Sequence, residues 1–412
     1  MSSQEAVDVI DPSSLEGRYA SDAKTKIAFM GACAILIFII AGIALSINGR
    51  DLGFLDSYSI ILDHILGRTY ELHSVEWIDD YMMWNVYLPR IIMGISIGAG
   101  LAICGVAMQS VMNNPLADSY TTGVSDGACF GAVAAIVTGF TFSSTLGSMG
   151  IMVNAFIGGL IPAFILIGLS NAIRMSPATM ILVGIALSYI FSGMETTMMV
   201  TTDADTLKNA YLWQIGSLGD IVSWDKCLIP TCIVIVSGLV LWACSSRLNL
   251  LALGDDSAKS LGLDVRTFKT IVMLIASLSV AVLVSYVGII GFIGLVAPHI
   301  ARMILGGNNR YVIPASALIG AMLVLIADLI ARTVISPDEL RVGVVISMIG
   351  APVFLYLILS KKKSYGEVFR WSSASRLWRS GSGIPTDARS PSQVWSWRPP
   401  SAWHSHRSSS PS

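Results

Sequence analysis

Polar and apolar positions in this chain sort into long apolar blocks parted by shorter polar ones. Residues 27–47, 151–173, 181–200, 228–243, 271–290 and 311–326 are almost free of charge. A helix needs roughly 20 apolar residues to cross a hydrocarbon core about 30 Å thick. Backbone inside lipid must also satisfy its own hydrogen bonds, which leaves the helix as the natural spanning form. Four shorter or interrupted blocks join the set: 88–111, opened by Pro89, then 125–140, 292–305 and 342–359. Pro89 suits the first turn of a helix, and Asn113-Asn114-Pro115 stops the one that follows it. The pattern predicts an all-α polytopic membrane protein with about ten transmembrane helices over residues 27–360.

The polar blocks differ among themselves. Residues 1–26 form a polar N-terminal extension, expected to be disordered. Residues 48–84 read as one long acidic loop, and 201–226 as a second with a short helix over 206–215. Residues 371–412 are rich in Ser, Pro, Arg and Trp without periodicity and read as a disordered tail. The island at 248–264 is different. Gly254 breaks the chain, and Asp255 and Asp256 then stand where a first helical turn favours negative charge. Lys259 follows one turn on, and Gly262 can take a left-handed C-terminal cap. Leu253, Ala258 and Leu261 would share one apolar face. The island is either a plain surface loop or a docking helix for a soluble partner. A capped helix with an apolar stripe favours docking.

Composition agrees with a membrane protein. Hydrophobic residues make up 54% of the 412, charged ones only 13%, and the mean hydropathy is +0.69; a soluble chain carries about 25% charged residues. A net charge of −1 gives no basic footprint for nucleic acid. The first apolar run starts late, behind an acidic segment, and no small-residue cleavage site follows it, so no cleavable leader is expected. All six cysteines lie in or at apolar runs without a Cys-x-x-Cys, which predicts small core residues. Lys and Arg concentrate on the segments that share a side with the N-terminus, such as Lys24, Lys26, Arg247, Lys259, Arg302 and Arg310. The positive-inside rule then places both termini and the island in the cytoplasm.

Catalytic signatures do not occur. There is no Gly-x-x-x-x-Gly-Lys-Ser/Thr, no His-Glu-x-x-His and no Gly-x-Ser-x-Gly. No catalytic residue, metal ligand or resident cofactor is therefore expected on this chain. Intramembrane charges are costly and point to function; the candidates are Glu195, Asp328 and Arg332. Asp328 and Arg332 are spaced i, i+4 and can pair with each other. Glu195 is either a surface carboxylate or a lining one. Gly94-x-x-x-Gly98 is a stripe for close helix packing. Gly288, Gly291 and Gly294, with Pro298 beyond, interrupt a span. The break is a tight outer turn or backbone packed beside a path; for Gly291 and Gly294 close packing is expected. An ion-coupled carrier would show paired breaks around ionisable groups, and a membrane enzyme a clustered polar site. The chain has one break and no such cluster.

Five ordered stretches resemble the permease family of ABC importers for iron–siderophores, haem and cobalamin. They are Leu88-Pro89-Arg90; Asn114-Pro115-Leu116-Ala117-Asp118 with Thr122-Gly123-Val124-Ser125; 211–218; 250–262; and 291–302, followed by 327–332 and 350–352. The resemblance implies the type II importer architecture and a dimer with a second permease, identical or sister. It also implies two cytoplasmic ATPases carrying ATP and Mg, an extracytoplasmic binding protein, and a metal chelate as cargo in a prokaryotic cytoplasmic membrane. On that reading 248–264 is the coupling loop, with Leu253, Gly254, Asp255, Ala258, Leu261 and Gly262 towards the ATPase. Arg90 and Arg332 would dock the binding protein. Gly98, Gly291, Gly294 and Pro298 would pack beside a path lined by the second, fifth and eighth to tenth spans. The family commonly has Arg-Leu-Pro-Arg before the second span, and here Tyr87 replaces the first Arg. The 371–412 tail has no counterpart in the family.

Overall fold

The computed structural model describes residues 12–47, 52–142, 149–173, 175–219, 223–335, 338–356 and 359. The described residues up to Tyr356 form one compact unit. The tail at 371–412 and residues 1–11 lie outside the described residues. The described architecture is helical, and its one β-bridge joins Ile215 to Ile289.

Among the described residues, seven helices are long and apolar enough to cross a membrane. In chain order, α1 is Pro12–Ser46, α2 Phe54–Ile65, α3 Val75–Met82, α4 Leu88–Val111 and α5 Val124–Thr138. Then come α6 Met149–Ala172, α7 Pro177–Val200, α8 Ala204–Gln214, α9 Trp224–Ala243, α10 Ser245–Leu251 and α11 Asp255–Ser260. The chain continues with α12 Val265–Val287, α13 Ile293–Leu305, α14 Asn309–Thr333 and α15 Val342–Tyr356. The spans are α1, α4, α6, α7, α9, α12 and α14, and three shorter apolar helices, α5, α13 and α15, complete the expected set.

Two expectations about polar blocks change. The N-terminal extension is helical from Pro12 and continues directly into the first span. The acidic stretch after α1 is not one loop, because it folds as α2 and α3. Ser74 caps α3 by accepting the Trp77 N–H at 3.1 Å, and a π-helical turn, Met83–Tyr87, joins α3 to α4.

The bundle is built around α4, almost every residue of which is buried. It packs most extensively on α14, and small residues set the distance: a Cβ on Gly98 would overlap the Gly320 carbonyl. Without a hydrophobic force between helices in lipid, such close approach supplies the van der Waals contact that holds spans together. Met112 and Asn113 close α4, and Asn114 Oδ1 accepts the Leu116 N–H at 2.9 Å, a side-chain turn that reverses the chain. In contrast, α7 and α9 turn large apolar side chains outward, among them Tyr189, Ile190, Val236 and Leu239. Cys232 is also exposed on α9, so it is not the core residue its sequence context suggests, whereas Cys33, Cys104, Cys129 and Cys227 are buried.

Candidate functional site

Three places gather the residues singled out above. The first is the hairpin after α9. Here α10 leads into Gly254, whose φ of 95° turns the chain, and α11 follows. The Leu263 N–H bonds to the Ala258 carbonyl at 3.1 Å, and the Gly262 N–H to that of Lys259 at 3.0 Å. With Gly262 at φ 88°, that is the left-handed glycine cap that ends many helices. Asp264 then caps α12 through the Thr267 N–H at 3.3 Å, and its hydrogen bonds to the Thr267 side chain and backbone hold its carboxyl below the usual range.

The apolar face is not the one expected. Ala258 is 0% exposed and belongs to the central core, so it does not face water. Leu253 and Leu261 are each 61% exposed and point outward. Gly254 lies between Leu253 and the helix, and Leu261 is its cap, so neither shares the helical phase of Ala258. Asp255 keeps the first turn but pairs with Lys269 Nζ at 2.7 Å. The outward surface is therefore Leu253, Leu261 and polar neighbours such as Asp256 and Lys259.

The second place lies at the opposite end of the bundle. Arg90 and Arg332, which the resemblance assigns to docking the binding protein, are both buried among carboxylates of their own chain. Arg90 Nε and Nη2 donate to Asp328 Oδ1 at 3.1 and 2.9 Å, and Nη1 and Nη2 donate to Glu339 at 3.2 and 2.9 Å. Arg332 Nη2 lies 3.2 Å from Asp328 Oδ2, and Nη1 donates to the Ala44 carbonyl at 3.2 Å. The expected Asp328–Arg332 pair is present as part of a four-residue cluster. Two cations and two anions balance, which offsets the large cost of desolvating each alone. The cluster ties α1, α4, α14 and the segment before α15 together.

The third place is the break between α12 and α13. Here the Gly216 N–H donates to the Ile289 carbonyl at 3.0 Å, Ser217 to Val287 at 2.8 Å, and Ile289 to Gln214 at 3.3 Å. Gly343 donates to the Gly216 carbonyl at 2.9 Å. The Tyr120 hydroxyl donates to the Ile290 carbonyl at 2.6 Å and accepts its N–H at 3.1 Å. Non-helical backbone at membrane depth survives only when such partners satisfy it. Gly288, at φ 75°, lies against the Trp213 carbonyl with no room for a side chain. Phe292 takes a left-handed φ of 64° at the start of α13 and packs against Gly350.

The glycines of the break divide. A Cβ on Gly294 would overlap the Asp118 carboxylate, and the Gly294 carbonyl fills the space above Gly105. Gly291 has nothing within 4 Å of a built Cβ, so the expected close packing is absent there. Pro298 is buried within α13. Glu195 is buried on α7, with Oε2 accepting from Gln214 Nε2 at 3.4 Å. On α5, Asp126 accepts a 2.5 Å bond from Ser188.

Sequence reading passed over Tyr120, Asp118, Glu339 and Gly105 as individual residues. Gly105 had a signal, since it stands seven residues after Gly98 on the same stripe. Glu339 had none, since its partner is 249 residues away.

A sequence profile of the FecCD transport family matches residues 35–360. The chain belongs to the FecCD transport family. Among its relatives is a protein of Methanocaldococcus jannaschii named as an ABC transporter permease, 41% identical over 292 residues that cover 68% of this chain and 82% of that one. The hemin transport system permease protein of Yersinia pestis is 36% identical over 285 residues, 68% of this chain and 85% of its own. The cobalamin import system permease protein of Halobacterium salinarum is 36% identical over 279 residues, 68% and 73%. A solved ABC transporter described as of metal-chelate type, in an inward-facing conformation, superimposes with a TM-score of 0.69 at 28% identity. It covers 80% of this chain and 98% of the other. This FecCD protein is thus an ABC importer permease, a transport component. Its quoted motifs supply residues of the break, the hairpin and the buried charge cluster.

Proposed function

We propose that this FecCD permease carries an iron chelate of the siderophore type across the cytoplasmic membrane, as half of a permease dimer. Two ATPases on the cytoplasmic side supply the energy, with ATP and Mg bound on them and not on this chain. An extracytoplasmic binding protein delivers the cargo. Both termini lie in the cytoplasm, as the distribution of Lys and Arg supports. The observation that carries the reading is the hairpin with Leu253 and Leu261 turned outward. Two large apolar side chains turned outward on a short capped hairpin, outside the membrane spans, support a docking surface for a protein partner.

The permease does no covalent chemistry in this scheme. Its partners favour inward- or outward-open states differently, and that difference shifts the equilibrium. ATP-driven closure of the ATPases pushes on α11 through the hairpin. Because Ala258 is locked in the core, the push is transmitted to the bundle and not absorbed by a loose loop.

A second reading, haem or cobalamin as cargo, is favoured by the names of the Yersinia and Halobacterium relatives. The deciding experiment reconstitutes the permease with its ATPase and binding protein in liposomes. Uptake of a ferric hydroxamate, haemin and cyanocobalamin is then compared. ATP-dependent uptake of the ferric hydroxamate alone supports the main reading. Uptake confined to haemin or cyanocobalamin replaces it.

A further inference from the structure

At the end of the bundle that carries Lys26 and Arg310, four helices leave a groove of about 630 Å³. Its walls come from α1, α4, α9 and α14, with Met30, Ile103, Val234 and Leu239 among the lining residues. Leu239 and its neighbours Ile235 and Val236 are exposed, so the groove opens on the face that α9 turns away from the bundle. That face is a lipid-facing surface by composition.

The polar groups of the groove sit at one end. Arg310 is exposed at its mouth. Trp242 Nε1 donates to the Arg310 carbonyl at 3.0 Å, which fixes that corner. The Tyr311 ring lines the same corner, and Lys26 Nζ lies 5.1 Å from the ring centroid. Lys26 also pairs with Asp22 at 2.6 Å. Among the described side chains, one carboxylate, Asp22, against two cations, Lys26 and Arg310, leaves the mouth positive.

We infer that this groove holds an acyl chain of an anionic phospholipid from the adjoining leaflet, with the headgroup phosphate on Arg310 and Lys26. The inference rests on the membrane-permease reading and not on what is carried. An apolar trough with cations at one end has the polarity of such a lipid laid along it: hydrocarbon first, phosphate last. Trp and Tyr settle at headgroup level, and basic pockets between spans on the cytoplasmic side take anionic headgroups. The lysine stem can lie on apolar surface while its ammonium stays in the wet layer. A neutral apolar ligand would have no use for Arg310.

Native mass spectrometry of the full chain tests this. The protein is released from mixed micelles holding equal dioleoyl phosphatidylglycerol and dioleoyl phosphatidylcholine. One phosphatidylglycerol per chain should be retained in preference to phosphatidylcholine. Arg310→Gln should cut that preference about fivefold, the factor for one juxtamembrane cation worth about 1 kcal/mol. Leu239→Trp changes an exposed residue and narrows the trough, so it should lower retention of both lipids. Phosphatidylglycerol should raise the Tm of the wild-type chain and not that of Leu239→Trp. Equal retention of the two lipids by the wild type overturns the assignment. So does unchanged retention in Leu239→Trp, or displacement of the lipid by a second copy of the chain.

Discussion

Two nitrogens of Arg90 converge on a single oxygen of Asp328, at 2.9 and 3.1 Å, across 238 residues of chain. Asp328 is 1% exposed, and its other oxygen faces Arg332. Removing its charge takes the ion-pair partner from buried Arg332 and leaves buried Arg90 with Glu339 alone. Asp328→Asn should cost about 3–5 kcal/mol, the range for breaking a buried pair. The Glu339 side chain is 44% exposed, and Glu339→Gln should cost at most about 1 kcal/mol. Thermal unfolding in detergent measures both, and equal losses would refute the central place given to Asp328.

The hairpin yields a contrast between buried and exposed positions. Leu253→Glu with Leu261→Glu places charges in water, so the permease should fold normally and fail to co-purify with its ATPase. Ala258→Glu buries a charge in the core and should reduce folded yield before any docking is tested. Pull-down combined with size-exclusion profiles separates the two effects. A well-folded Ala258→Glu protein would mean that the hairpin swings free.

Glycine positions in the break differ in the same way. Gly294→Ala forces a methyl group into the Asp118 carboxylate, at a cost of about 1–3 kcal/mol. That is enough to bias a two-state equilibrium by roughly 5- to 150-fold. Gly291→Ala meets open space and should transport normally. Transport rates in proteoliposomes check this, and a defect of equal size at both sites would show that crowding at Asp118 is not the cause.

Tyr120→Phe removes the hydroxyl that serves both the N–H and the carbonyl of Ile290. Two backbone groups lose their partner, and each unsatisfied buried group costs about 1–3 kcal/mol. Amide hydrogen exchange at Ile290 should accelerate, while exchange in the middle of α4 stays slow. Protection unchanged at Ile290 would show that other groups hold the break.

At Asp264 the folded pKa lies below its usual value because of its hydrogen bonds to Thr267. A depressed folded pKa adds stability above the unfolded value, about 3.9, and loses it as pH falls through the folded pKa. The protection of the Thr267 amide, relative to its intrinsic exchange rate at each pH, should therefore fall in acid, below about pH 4. Asp264→Asn keeps a capping oxygen and should flatten that dependence. A slope identical in the two proteins would assign the effect elsewhere.

Much of this arrangement is legible in the sequence, for physical reasons. Hydropathy reports insertion into lipid, so the spans stand out even where α5 and α13 are short. Cap residues act locally, so Asp255 and Gly262 mark the limits of α11 correctly. The two helices α2 and α3 are less visible, because short amphipathic helices in an acidic stretch carry little apolar signal. Ser74 before Val75 was the readable cue. What no local pattern contains is direction. Whether Ala258 turns inward depends on the positive-φ kink at Gly254, and whether Arg90 meets lipid or Asp328 depends on how α4 and α14 cross. The in-phase apolar stripe assumed for Leu253, Ala258 and Leu261 fails because a turn and a cap interrupt the 3.6-residue period.

The bridge at Ile215 and Ile289 has a mechanical corollary. Gly216 bonds to the α12–α13 break on one side and to Gly343, just inside α15, on the other. Three stretches far apart in sequence are thus clamped into one plate by main-chain bonds, which leave no room for a side chain at Gly216 or Gly288. A tilt of α13 must carry the end of α8 and the start of α15 with it. The lever arm of any gating motion is then the whole plate, and its length is fixed by residue count. Inserting a single residue between Ile215 and Ser217 would put the clamp out of step, whatever residue was inserted.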